Sequence, residues 1–167
     1  MSEIINKVAQ SKLVLFDLEA YYPAGKRVVL DIKEWLFEEL LLKEKDFRAA
    51  AAAHDWQQYE EAYVAVDCSS EAIVPAWAYM LITTYLQPFA KQVFLGGSEA
   101  METALYQQAL NLVDFSEFRD KPIIIKGCSK KPVPPAAYLM AVQKLQPVAR
   151  SIFYGEACSS VPLFKRK

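Results

Sequence analysis

Three cysteines, Cys68, Cys128 and Cys158, are the residues of this chain whose type and setting suit chemistry. Each opens the same short pattern. Cys68-Ser69 leads to Val74-Pro75, Cys128-Ser129 to Val133-Pro134, and Cys158-Ser159 to Val161-Pro162. A thiolate is both a nucleophile and a ligand for soft metals, so thiols in one repeated context point to sulfur chemistry or to a metal. Their separations match no C-x-x-C motif. Zinc in a structural site takes four protein ligands, and His54 is the single histidine available to complete such a set. Three cysteines without a fourth suit instead a 4Fe-4S cluster with one iron left open. Ser69, Ser129 and Ser159, together with Lys126 and Lys130, would surround such ligands with hydrogen bonds and positive charge.

The same residues support two other readings. Lys126, Lys130 and Lys131 flank Cys128, and nearby cations favour the thiolate, so Cys128 is the candidate nucleophile of a thiol enzyme or sulfur carrier. Free cysteine is also among the most buried residue types, which leaves a cofactor-free structural or interaction protein as the third reading. His54 reads as a cation closing a helix rather than as a ligand. No G-x-G-x-x-G, no G-x-x-x-x-G-K-[ST] and no G-x-S-x-G is present, which argues against a nucleotide enzyme or a serine hydrolase.

The elements that position the cysteines emerge from an internal repeat. Residues 68–96 and 128–155 align with one gap opposite Ala72. The alignment matches Cys68 with Cys128, Val74-Pro75 with Val133-Pro134, Tyr79 with Tyr138, Leu86-Gln87-Pro88 with Leu145-Gln146-Pro147, and Gly96 with Gly155. Each copy follows a β-branched run, Tyr63 to Val66 or Ile123 to Ile125, and carries a proline-initiated helix and a second strand closing on glycine. Such strand-helix-strand units pair in parallel. The expected fold is therefore α/β: a mostly parallel sheet with helices on both faces, containing an internally duplicated strand-helix-strand unit in residues 62–96 and 122–155. In such a sheet ligands gather beyond the carboxyl ends of the strands, where all three cysteines are expected to share one rim.

Ser98 is expected to open a helix over 100–113, and 114–121 to turn the chain back. In residues 1–60 the pattern predicts a helix over 2–10, strands over 13–18 and 28–30, and a turn over 21–26. A second helix is expected from Asp46 through the alanines 49–53. Asp31 and Glu34 are spaced like a capping box, while Trp35 to Phe37 would serve a strand equally well.

The chain has 167 residues, of which 23% are charged and 53% apolar, and one domain over 1–167 is expected. A net charge of -1 supplies no global field for nucleic acid or an anionic membrane. Neither an export signal nor a long apolar run is visible, so a cytoplasmic location is expected, where thiols stay free.

The segments KEKDFR (43–48), HDWQQY (54–59), CSSEAIVPAWAYML (68–81), KGCSKKPVP (126–134) and GEACSSVPLFKRK (155–167) resemble an uncharacterised bacterial family classed only as a domain of unknown function. The likeness covers the whole chain and includes the three cysteines. Members of that family are often encoded beside iron-sulfur assembly genes, so the resemblance implies iron-sulfur assembly proteins as partners and a role in cluster assembly, carriage or use.

Overall fold

The computed structural model describes residues 13–127, 130–156 and 158–167. Its strands are β1 (Val14–Phe16), β2 (Lys26–Asp31), β3 (Ala62–Asp67), β4 (Gln92–Leu95), β5 (Pro122–Ile125), β6 (Ser151–Glu156) and β7 (Ser159–Lys165). Its helices are α1 (Glu44–Ala53), α2 (Ala76–Leu86), α3 (Ser98–Asn111) and α4 (Pro135–Leu145). The helix expected over 2–10 lies outside the described residues. The architecture is α/β and the pairing mostly parallel, but the strands form two sheets rather than one.

Two compact units carry these sheets. One comprises residues up to 23 together with 105–167, and the other comprises 24–104. In the 24–104 unit β2, β3 and β4 form a three-stranded parallel sheet in that order. In the other unit the order is β1-β5-β6-β7, parallel except for the antiparallel β6-β7 pair. The two copies seen in the sequence take corresponding places, as β3-α2-β4 and β5-α4-β6.

Burial explains why these segments adopt these forms. From Ala62 to Val66 every residue of β3 is buried, as are Ile123 to Ile125 of β5. A strand with neighbours on both sides and cover on both faces reads as a continuous apolar run rather than an alternation. Helix α2 directs Ala78, Ile82 and Leu86 into its core, and α4 directs Ala137, Ala141 and Leu145. Four-residue spacing keeps each trio on one stripe, and each buried leucine or isoleucine contributes about 1.5–3 kcal/mol. Pro75 and Pro134 occupy the cap positions with extended backbone, and Pro135 opens α4. A fixed φ near the helical value and a missing N–H cost nothing there.

Several local expectations change. The chain over Lys33–Trp35 forms a short 3-10 turn, neither α-helix nor strand, because Asp31 Oδ1 accepts the Lys33 N–H at 3.1 Å and closes a tight turn. Helix α1 begins at Glu44 with Lys43 at its cap, and Asp46 lies inside the first turn, where a carboxylate still favours the helix dipole. The strands expected from the sequence end at residue 155, before the segment that holds Pro162. That segment is β7, an edge strand, where proline is tolerated.

Gly96, just after β4, and its match Gly155, next to last in β6, have φ of +109° and +118°, a region L side chains rarely enter. A Cβ at Gly155 would also lie 2.8 Å from the Ser159 carbonyl oxygen. Gly155→Ala is therefore expected to destabilise the fold by more than about 1 kcal/mol, read as a fall of at least about 2 °C in the thermal midpoint.

Candidate functional site

In the 24–104 unit the rim beyond the strands is built from Asp31 at the end of β2, Asp67 at the end of β3, and Gly96-Gly97 after β4. Cys68 follows β3 directly. Asp31 holds its loop: the Ser69 hydroxyl donates a short hydrogen bond to Oδ2, and the Ser69 N–H donates to Oδ1 at 3.2 Å. Burial works to raise the Asp31 pKa, but the bonds from Ser69 and Lys33 and the Lys33 charge outweigh it, so the carboxyl sits below its ordinary value. Cys68 is half-buried against the core, with Sγ 3.2 Å from Ser70 Oγ. Tyr79 of α2 stands close enough for the Cys68 and Asp67 charges to act on it. Burial first, and then those charges, push its pKa up.

In the other unit Asp17 and Lys126 mark the corresponding strand ends. Lys126 Nζ lies 3.5 Å from Asp17 Oδ2, while its N–H donates to the Phe16 carbonyl at 3.0 Å. Lys130 anchors its N–H on Glu19 Oε2 at 3.1 Å, and Lys131 stands over the Tyr22 ring. A Cβ on Gly127 would come within 3.2 Å of the Gly155 Cα, so the strand ends of β5 and β6 meet there. The Tyr154 hydroxyl donates to the Gly127 carbonyl at 3.4 Å and its ring meets Tyr138 edge-on. Cys158 is exposed in the turn between β6 and β7, and Ser159 starts β7. Cys128 and Ser129 lie outside the described residues. Among the described residues no three His, Cys, Asp or Glu side chains converge as a metal site.

Strand register changes one correspondence. Tyr63–Val66 pair with Gln92–Leu95 as Pro122–Ile125 pair with Ser151–Tyr154, and α2 and α4 start at Ala76 and Pro135. The loops 67–75 and 126–134 are thus of equal length and need no gap. Cys68 stands level with Gly127, one position before Cys128, because hydrogen-bonded register rather than residue identity sets equivalence. The sequence reading also missed Asp17 and the role of Asp31. The signal was there in VLFDL (14–18) and VVLDI (28–32), strands that both end in an aspartate closing a tight turn.

His54 occupies the C-cap of α1 in an aromatic box. Its ring lies 5.1 Å from that of Trp35 and 4.8 Å from that of Trp56, and Nε2 is 2.7 Å from the Tyr59 hydroxyl. Burial pushes its pKa down, with the Asp55 charge pulling weakly the other way. This environment disfavours the charged imidazole that a helix-closing cation requires.

A family model described as "Protein of unknown function (DUF2480)" matches residues 2–166. The chain belongs to this family. Neither the curated proteins nor the solved structures yield a match. No helix among the described residues is long and apolar enough to cross a membrane.

Asp31→Ala frees the Ser69 loop, so Cys68 is expected to react with a maleimide several-fold faster in the folded protein, while Cys158 keeps its rate; mass spectrometry of the labelled peptides reads both. His54 gives a pH dependence of known sign. Its folded pKa is depressed, so its stabilisation is complete above the unfolded value of about 6.5 and is lost as pH falls through the folded one. Urea denaturation should show stability declining as pH falls below about 7, and His54→Phe should flatten that decline. The Asp31 contribution is lost only below about pH 4.

Proposed function

We propose that this protein binds a thiophilic metal or a 4Fe-4S cluster through cysteine thiols that follow its parallel strands, Cys68 in the 24–104 unit and Cys128 with Cys158 in the other, acting in the cytoplasm as an accessory to iron-sulfur assembly proteins. The observation that carries this reading is the placement of the two described cysteines. Each follows the carboxyl end of a parallel strand, Cys68 after β3 and Cys158 after β6, on the rims of two different sheets rather than on the one rim expected from the sequence, and such rims are where open parallel sheets collect their ligands. Both thiols are free. Thiolates would supply soft-metal ligation, and the Asp31–Ser69 bonds would hold the Cys68 loop for it. The Gly127–Gly155 approach supports the same reading from the other unit, since Cys128 follows Gly127 directly and Cys158 comes three residues after Gly155. Lys126 is committed to Asp17, which favours ligation over a lysine-activated Cys128 nucleophile.

The test is anaerobic purification and reconstitution with ferrous iron and sulfide. A broad absorbance at about 400 nm is expected, with iron and sulfide in stoichiometric amount, and the triple Cys→Ser variant should lose it. Stoichiometric zinc by elemental analysis would assign zinc instead. A colourless, metal-free protein after both treatments would overturn the proposal.

A further inference from the structure

Strands β4 and β6 hold the same place in the two units, each following a crossover helix and pairing with the buried central strand. Their outer edges differ. β7 covers that of β6 in antiparallel pairing, from Ser151 opposite Lys165 to Glu156 opposite Ser159. β4 ends its sheet. An apolar cleft of about 110 Å³ lies between β4 and α2, lined by Val66, Tyr79, Thr83, Val93, Phe94 and Leu95.

The other unit indicates what fits such a cleft. By strand register and helix position, Val66, Tyr79, Thr83 and Val93 correspond to Ile125, Tyr138, Val142 and Ile152. Those four belong to a core that also takes in Phe164 of β7, the register partner of Ile152. The cleft beside β4 stands where Phe164 packs beside β6.

The edges also differ in how they are guarded. Proteins blunt exposed edges with proline, charge or bulges. β7, which ends its own sheet, carries Pro162 and Lys165, and its pairing shifts register between Ile152 and Phe153. β4 reads Gln-Val-Phe-Leu, pairs without a shift, and leaves Leu95 66% exposed.

We propose that the β4 edge receives an extended segment of a partner protein in antiparallel pairing, with an aromatic side chain of that segment seated in the Val66–Tyr79–Thr83–Val93 cleft. Main-chain hydrogen bonds supply the affinity in this mode and the side-chain cleft the specificity. A second copy of the chain is a poorer occupant. Its β7 is already paired with β6, and its Phe94 is buried in its own unit beside Tyr63.

The probe is the synthetic peptide Ser-Ser-Val-Pro-Leu-Phe-Lys, the sequence of β7, titrated into the nitrogen-15-labelled full chain. Saturable amide shifts centred on Val93 to Leu95 and Thr83 are expected, with slower amide exchange along β4. The peptide with alanine for phenylalanine should bind at least about tenfold more weakly. Thr83→Phe, which fills the cleft, should weaken binding similarly; the alanine peptide makes the same test on unaltered protein. Absence of shifts at β4 with millimolar peptide, or equal binding of both peptides, would overturn the proposal. Self-association that protects the β4 amides without peptide would assign the edge to a second copy and overturn it as well.

Discussion

Both units depend on a central strand closed off from water. β3 and β5 are buried along nearly their whole length and paired in parallel on each side. Parallel pairing cannot be closed by a tight turn, so the chain must cross back by a helix. That single requirement places α2 and α4, and it sends the residues after each strand to one rim of their sheet. Cys68 is a rim residue because the strand before it is a core strand.

The loops themselves are held by polar bonds rather than by burial. Asp31 binds the backbone of Lys33 and both the backbone and hydroxyl of Ser69. Asp17 caps its own turn through the Glu19 N–H and pairs with Lys126. The two aspartates end matching strands, yet one meets a serine and the other a lysine, so two similar scaffolds carry differently charged rims. A carboxylate that accepts several hydrogen bonds orders a loop that apolar contacts cannot reach.

A separate layer of order surrounds His54. Trp35, Trp56 and Tyr59 enclose its ring, and the Trp56 indole N–H satisfies the Ala51 carbonyl at 2.7 Å near the end of α1. The alanine-rich helix offers only Phe47 and Ala51 to the core, so this box secures its end. A polar handle on a large apolar ring makes that possible. The part-buried Arg27–Glu102 pair at 2.7 Å ties β2 to α3. Breaking such a pair leaves a charge uncompensated.

The sequence alone determined the class of fold, its central strands and its crossover helices. β-branched runs, proline starts and glycine stops are local signals, and each is set by the conformational limits of its own residue. It also placed Cys68 and Cys158 just past strands. Division into two sheets was decided by the tertiary structure, because pairing partners are distant in the chain and any parallel strand could join any other. The equivalence of Cys68 with Gly127 rather than Cys128 was decided there too, since matching letters favour the cysteines while hydrogen-bonded register does not. The same holds for β7, whose proline argues against a strand until β6 offers it an edge, and for Asp31, whose partner Ser69 is brought to it only by β2–β3 pairing. Local chemistry writes the elements, and long-range pairing chooses their neighbours.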